Sequence, residues 1–541
     1  MKAKKGSHEL RTRVFETKIS QLDALLKDGG IVIPENADGI SILIKGPAGA
    51  GKSTLALLLA TKCAKDGGPV LYCALEQSDY SLKRLAKSLD MDEKGWQWLQ
   101  ENDKIPNKKN SNGFVYLTNL QLQKKHVGEF QNYLDDLTDQ VQNYITPHQK
   151  EKIGIIIIDS LDVFGRKPVD RLEFELLRKT LSAKNRILIF IGESEENELI
   201  WDRLVDMVID LDRRASLGEY FLRTITISKA RFQNHILGSH VIKIKGRGSS
   251  ALPGDRIEAS ASDQTSEFGF FIYPSLHYHL SVAIERQRRF EIKQKTSSSK
   301  KMKYDAPYLK TGFEVLDHAL GGGVKRGTMT AISCNLSYAA KGIGLSFLAK
   351  GVENGEKSLY LSLQDDENSI MRLPSDKNIH TMVKDKDLVI KSFRPGFISA
   401  EEFVDKIISE ILDPTRQNAI FQRVLFDDVS QIALRFPLLD NAPVFLPTLM
   451  DIFKLYDMTA MFLSTTVTSG DRRTLPKNNL YDLVNTVIEV QSPDNASELE
   501  AAVHIRKIAE QFYIPQELRL VIDQLSGGNI SIKDQEPATA I

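Results

Sequence analysis

Apolar residues along this chain fall into two kinds of stretch. Runs such as Ile155-Ile156-Ile157-Ile158 and Ile187-Leu188-Ile189-Phe190-Ile191 are short, rich in β-branched residues and bounded by polar ones. A run with no polar face reads as a strand covered on both sides, the situation of strands in a parallel sheet. Between these runs lie longer stretches that read as helices: Leu55 to Ala64, residues 79 to 101, and a polar stretch from Gln121 to Tyr144. The alternation predicts an α/β chain. Strands are expected over Ser41 to Lys45, Pro69 to Leu75, Phe114 to Leu117, Ile153 to Asp159, Ile187 to Ile191, Val208 to Leu211, Phe221 to Ser228 and Gly269 to Pro274. Residues 246 to 267, rich in Gly, Ser, Ala and Asp, are expected to form a surface loop.

The pattern then starts again. Thr311 to Val324 repeats the Thr, Leu-Asp, Leu and Gly-Gly positions of Thr17 to Ile31. A strand over Thr328 to Ser333, a helix over Ile343 to Val352 and a strand over Ser358 to Leu363 follow. Val424 to Asp428 and Met461 to Thr465 repeat the two most apolar strands of the first half. At 541 residues the chain is too long for one core. The expected organisation is a loose lead-in at 1–16, a first domain at 17–285, a basic Ser-rich linker at 286–305, a second domain at 306–524 and a tail at 525–541. The linker region carries Arg286, Arg288, Arg289, Lys293, Lys295, Lys300, Lys301 and Lys303 around Thr296-Ser297-Ser298-Ser299. It reads as a connector, with a contact to nucleic acid or an acidic partner as the other reading.

Composition narrows the classes. Lys+Arg and Asp+Glu both total 71, so no net charge draws the molecule to nucleic acid or an anionic membrane, and such binding would need a local patch. Cys63, Cys73 and Cys334 lack metal-type spacing and are expected to be reduced and buried. No apolar run follows Met1-Lys2-Ala3-Lys4-Lys5 and no 18-residue apolar stretch exists, so no secretory signal or membrane span is expected and the place expected is the cytoplasm.

The candidate chemistry sits at Gly46-Pro47-Ala48-Gly49-Ala50-Gly51-Lys52-Ser53-Thr54, between an expected strand and an expected helix. This is a phosphate loop in its strand–loop–helix setting. Its glycines let backbone N–H groups turn toward phosphate oxygens, and the helix N-terminus adds partial positive charge. Lys52 is expected to reach the β/γ-phosphates of a bound nucleotide and Ser53 to hold Mg²⁺. Asp159, ending a buried strand, is expected to act on the same Mg²⁺ at the carboxyl edge of the sheet. In the second half Cys334 falls where Gly46 does, Ala339 where Gly51 does, Ala340 where Lys52 does and Lys341 where Ser53 does. That copy is expected to keep the fold and lose the site.

The duplicated lead-in, the phosphate loop, the strand ending in Glu76-Gln77, Ile157-Ile158-Asp159-Ser160 and Lys229-Ala230-Arg231 resemble the KaiC-type branch of RecA-like ATPases. The resemblance covers nearly the whole chain. It implies two tandem RecA-like domains, each a mostly parallel sheet flanked by helices, the second degenerate. It implies ATP hydrolysis with Glu76 activating water, Glu193 fitting the pattern after the next strand, and a hexameric ring in which Lys229 and Arg231 reach the neighbour's phosphates. In the second half Gln364-Asp365 replaces the acidic pair, Lys507 keeps the lysine and Ala509 replaces the arginine, while Tyr481 and Asp482 stand at the clock protein's Ser-Thr pair, so an autokinase cycle is not expected. The leading reading is a slow ATPase that switches assembly and binding to a regulatory protein partner. A RecA/RadA-like recombination or helicase-loader ATPase is the alternative, with Arg166, Lys167 and Arg171 for it and the acidic run Glu193-Ser194-Glu195-Glu196 against it. A gas-vesicle type of operon regulator is a looser resemblance.

Overall fold

The computed structural model describes residues 12–35, 37–89, 91, 95–100, 103–105, 114–120, 130–145, 153–161, 171–193, 201–215, 221–245, 269–282, 284–285, 288, 307–373, 379–393, 400–411, 421–435, 445–465, 468–469, 472–473, 480–491, 500–509, 513, 517–523 and 529–534. The expected loop at 246 to 267, Arg166, Lys167, the run 194 to 196 and nearly all of the linker lie outside the described residues. The chain divides into two compact units, Met1–Tyr278 and His279–Ile541.

In the first unit β1 (Thr12–Phe15) pairs antiparallel with β2 (Ile31–Pro34), so the end of the expected lead-in belongs to a small sheet. The main sheet contains β3 (Ile40–Lys45), β4 (Val70–Ala74), β5 (Trp96–Leu99), β6 (Val115–Asn119), β7 (Ile155–Asp159), β8 (Ile187–Gly192), β9 (Met207–Ala215), β10 (Phe221–Ala230), β11 (His240–Lys245) and β12 (Gly269–Tyr273). Their spatial order is β12-β11-β10-β9-β3-β8-β7-β4-β6-β5. From β9 to β5 every pairing is parallel, and β10, β11 and β12 extend the sheet antiparallel. Every position of β4, β7 and β8 is buried, as their unbroken apolar sequences require. Ile42, Tyr72, Ile155 and Ile157 face the core that includes Leu55 and Leu59 of the helix Lys52–Gly67. Leu43, Leu71, Ile156 and Ile158 face the opposite core, which holds Phe174 and Trp201. Each large aliphatic side chain so placed contributes about 1.5–3 kcal/mol.

Two stretches differ from expectation. Residues 79 to 101 do not form one helix: Asp79–Ser88 is helical, capped by the Ser78 hydroxyl accepting from Ser81 N, and Trp96–Leu99 becomes the edge strand β5. Trp96 and Trp98, two residues apart, both pack on the main core, a strand period hidden inside a short segment. β11 was likewise not expected, because its first three residues are fully buried while Lys243, Ile244 and Lys245 are half-exposed.

The second unit repeats this plan. β13 (Tyr308–Leu309) pairs with β14 (Val324–Lys325). Its main sheet holds β15 (Met329–Cys334), β16 (Ser358–Ser362), β17 (Leu388–Ser392), β18 (Arg423–Asp427), β19 (Thr459–Thr465), β22 (Thr486–Gln491), β23 (Glu500–Ile508), β24 (Glu517–Asp523) and β25 (Asn529–Asp534), with β20 (Thr468–Ser469) and β21 (Arg472–Arg473) paired apart from it. The order is β17-β16-β18-β19-β15-β22-β23-β24-β25, parallel from β17 to β22 and antiparallel beyond. β25 lies inside the stretch expected as a tail and alternates apolar and polar residues against β24, so the fold runs on past residue 524.

Sheet register aligns the two units. Ile42 pairs with Ile189 and Met207, and Thr330 with Met461 and Thr486, so Cys334 stands where Gly46 stands. A bulge at Ser228 between β9 and β10 recurs at Arg506 between β22 and β23. The repeated lead-in also has a local cause. Asp23 accepts from Thr17 N at 2.9 Å and Asp317 from Thr311 N at 2.8 Å, while each threonine hydroxyl accepts from the backbone N–H two residues on.

One buried ion pair distinguishes the second unit. Arg423 is 1% exposed; its Nε donates to Glu356 Oε2 at 2.5 Å and its Nη1 donates to Lys310 O and Phe347 O at 2.7 and 2.8 Å. Burial lowers its pKa and Glu356 partly restores it. Arg423→Met is expected to cost about 1–3 kcal/mol, because the carbonyls of Lys310 and Phe347 lose their donor while Glu356 keeps only Arg326 Nη2, at 2.8 Å. Urea unfolding followed by hydrogen exchange in β18 would read this, and an unchanged midpoint would refute it.

Candidate functional site

β3 ends at Lys45 and the helix begins at Lys52, leaving Gly46 to Gly51 as the turn between them. Two glycines there are obligatory. Gly46 has φ 154°, and a Cβ on it would lie 2.0 Å from the Leu211 carbonyl oxygen of β9. Gly51 has φ 107°, and its Cβ would lie 2.7 Å from Ile244 Cδ1 of β11. Ala50 N donates to Pro47 O, Ala48 and Gly49 are exposed at the crest, and Thr54 is buried in the first helical turn. The Lys52 ammonium donates to Gly46 O at 2.6 Å and Pro47 O at 3.2 Å, and Glu193 Oε1 is 3.8 Å away.

The carboxyl edge of the sheet supplies the rest. The Ser53 hydroxyl accepts from Gln77 Nε2 at 2.9 Å. Asp159 is 3% exposed, and its Oδ2 accepts from the Tyr72 hydroxyl at 2.5 Å. Burial, then the Asp159 charge, push the Tyr72 hydroxyl well above its ordinary pKa, so it stays a donor. Asp159 pairs with Ala74 across the sheet, which sets Glu76, exposed just beyond β4, at the same edge. Glu193 follows Gly192, the partner of Lys45. Lys52, Ser53, Glu76, Asp159 and Glu193 thus belong to one edge.

Lys229 and Arg231 lie elsewhere. The Lys229 ammonium donates to the carbonyls of Asp202, Arg203 and Val205 at 2.6, 3.2 and 2.7 Å, and burial lowers its pKa. Arg231 donates to Asp206 Oδ1 at 3.3 Å and Arg203 O at 2.7 Å, while Asp206 Oδ2 accepts from Ser41 N and Oγ. Arg231 therefore sits level with Ser41, five strand residues before Gly46, or roughly 16 Å at about 3.3 Å per residue. Neither reaches the phosphate loop of its own unit.

Sequence reasoning missed Tyr72, Gln77, Asp206 and two arginines. Arg223 Nε donates to Gly49 O at 3.1 Å, and Arg213 lies over the Phe221 ring with its Nη1 3.1 Å from where a Gly49 Cβ would stand. Tyr72 had a signal, since Tyr360 donates to Asp427 at 2.8 Å in the repeat. The arginines had none, being brought in by β9 and β10 across the sheet.

A model of the ATPase KaiC family matches residues 15–255 and again 309–536. The chain belongs to that family. Its two sheets are accordingly tandem RecA-like domains. Relatives with curated descriptions include the DNA repair protein RadA of Helicobacter pylori, 28% identical over 196 residues, and that of Campylobacter jejuni, 27% identical over 208 residues. Each match covers 36% of this chain, and 36% and 37% of the two relatives respectively, so the chain spans little more than a third of their length.

The residues fit the ATP and Mg²⁺ that such a family implies. A cradle closed to any Cβ leads into the helix N-terminus, a lysine spans the loop, and a hydroxyl and a carboxylate share the adjoining edge. The second unit does not fit. The chain from Cys334 to the helix Ser337–Glu353 is two residues, Asn335 and Leu336, so the loop has become helix. All three cysteines are free and buried, as expected. Among the described residues no helix is long and apolar enough to cross a membrane.

Tyr72→Phe is expected to remove the hydrogen bond to buried Asp159 and cost about 1–3 kcal/mol. Thermal melting of the first unit checks this, and a melting curve identical to wild type would count against the assigned role.

Proposed function

We propose that the first unit is an ATPase that uses Mg²⁺, and that its turnover controls the assembly of copies of this chain and their binding to a protein partner in the cytoplasm. The observation that carries this is Lys52 held across the Gly46–Pro47 carbonyls beside Glu193, with Ser53 and Asp159 at the same edge. In this reading Lys52 stabilises charge on the β/γ-phosphates, Ser53 and Asp159 hold Mg²⁺, and Glu76 takes the proton of the attacking water. The magnesium ion would supply charge neutralisation at the transferring phosphoryl group. Arg213 and Arg223 flank the loop and fix Gly49 in place.

The distance of Arg231 from its own loop supports an oligomer, a ring in the family's manner, in which one copy's Arg231 and Lys229 serve the loop of the next. Asp206 would then aim the Arg231 guanidinium, being bonded to it on one oxygen and to Ser41 on the other. Lys52→Ala is expected to abolish both ATP binding and turnover, whereas Arg231→Ala should retain binding and lose turnover about 10³-fold or more, the range for a cation supplied in trans. Isothermal titration with a non-hydrolysable ATP analogue and phosphate release would separate the two. Retained turnover in Lys52→Ala would sink the assignment of the active unit.

A second reading, recombination or helicase loading on single-stranded DNA, is supported by the described function of the RadA relatives and by Arg171, an exposed residue on the helix Arg171–Leu181 that follows β7. It predicts ATP-dependent binding of an oligonucleotide that weakens steeply with salt. Fluorescence anisotropy with a labelled oligothymidine decides between the readings. Absence of binding at 50 mM salt with ATP·Mg²⁺ leaves the protein-partner switch as the reading, and salt-sensitive binding replaces it.

A further inference from the structure

The degenerate edge of the second unit is rebuilt rather than eroded. Register places Lys341 at the position of Ser53, Asp365 at that of Gln77 and Asp427 at that of Asp159. In the first unit the neutral pair Gln77 and Ser53 is hydrogen-bonded. In the second, the Lys341 ammonium donates to Asp365 Oδ2 and lies 3.4 Å from Asp427 Oδ2, with its side chain 7% exposed. The same Asp427 oxygen accepts from the Tyr360 hydroxyl, while Asp427 Oδ1, buried, has no hydrogen-bond partner among the described residues. Ile530 of β25 closes over the helix beside it, its Cδ1 2.0 Å from where a Gly342 Cβ would stand.

We propose that Lys341 is a built-in cation of the second unit: its ammonium bridges Asp365 and Asp427 where the first unit presents Ser53 and Asp159 to a metal, so that this unit stands without metal or nucleotide. The comparison with the first unit rests on the proposed magnesium role of Ser53 and Asp159, but the bridge itself can be tested without it. Two carboxylates converging in a buried edge need a positive charge between them. A mobile ion would supply it only in proportion to its concentration. A lysine supplies it always, and Ile530 keeps water and phosphate from the place a nucleotide would need.

The test is hydrogen exchange on the full chain in EDTA without nucleotide, read on peptides covering 337–353 and 358–365. Lys341→Met is expected to speed exchange there at least 10-fold, because Asp365 and Asp427 face each other unpaired. Adding Asp365→Asn to it should restore most of the protection, since one charge is then gone. Lys341→Ser, which restores the hydroxyl of the first unit, should regain protection with millimolar Mn²⁺, whereas the wild type should not respond to Mn²⁺ or Mg²⁺·ATP in these peptides. Wild-type exchange rates in Lys341→Met, or slowing of the wild-type second unit by Mg²⁺·ATP, would overturn the proposal. If Lys341→Met fails to fold, the double variant decides: recovery of the fold supports the bridge, and continued failure overturns it. Peptides covering 46–54 report the first unit's nucleotide site separately, so a failure there leaves the test of Lys341 intact.

Discussion

A carboxylate at the carboxyl end of a strand covered on both faces has lost most of its water, and the loss costs several kcal/mol unless hydrogen bonds and positive charge answer it. Both units of this chain contain such a group, Asp159 at 3% and Asp427 at 1% exposure, and both answer one oxygen with a tyrosine hydroxyl from the adjacent strand. They part at the next step. The first unit brings neutral Ser53 and Gln77 to that edge; the second brings Lys341 and Asp365. Burial still lifts Asp427 to about 6, with Lys341 and Tyr360 pulling the other way. The fold thus sets an electrostatic demand that, in the functions we propose, Mg²⁺ would meet in one unit and Lys341 meets within the chain in the other.

Differences between the units come in pairs, at this edge and away from it. Ser53 with Gln77 becomes Lys341 with Asp365. Arg231 with Asp206 becomes Ala509 with Asn485, and Asn485 still accepts from Met329 N as Asp206 accepts from Ser41 N. Lys45 with Asp202 becomes Ser333 with Tyr481. Changing one member alone would strand a charge or an unmatched polar atom at a buried edge, where the penalty exceeds the worth of the bond. Loss of a phosphate site in this scaffold is therefore a coordinated rebuilding of contacts between neighbouring strands.

How far the sequence carried the structure follows from where the information sits. The parallel strands were legible because a strand covered on both faces admits only apolar residues, and β7 and β8 announce this without a gap. The phosphate loop was legible because Gly46 and Gly51 answer steric demands that no other residue meets. β5 and β11 were obscured: the former is a four-residue edge strand whose two tryptophans fit a helical reading, and the latter mixes buried and half-exposed positions. Gln77, Asp206 and Arg223 act through partners 24 to 174 residues away, which no local pattern encodes. The helix Ser337–Glu353 starts three residues earlier than its counterpart because the glycines that would interrupt it are gone.

The paired differences also separate two residues that sequence reasoning had joined. Lys229 caps the carbonyls of residues 202, 203 and 205, and Lys507 donates to Tyr481 O at the matching place in a unit with no phosphate loop. A lysine kept where there is no nucleotide site to serve is accounted for by those carbonyls, which end the short helices Trp201–Leu204 and Leu480–Leu483 and need a donor. Arg231 shares one of those carbonyls, donating to Arg203 O at 2.7 Å, and adds a contact that Lys229 lacks, to the Asp206 carboxylate. Its partner Asp206 would be satisfied by Ser41 on one oxygen, and in the second unit both the arginine and the acid are replaced together. A guanidinium 45% exposed, held by a carboxylate and present only in the unit with the loop, is what a cation offered to another copy requires. In the oligomer we propose, Arg231 is therefore the residue whose presence follows the phosphate loop, while Lys229 holds the turn that leads to Asp206.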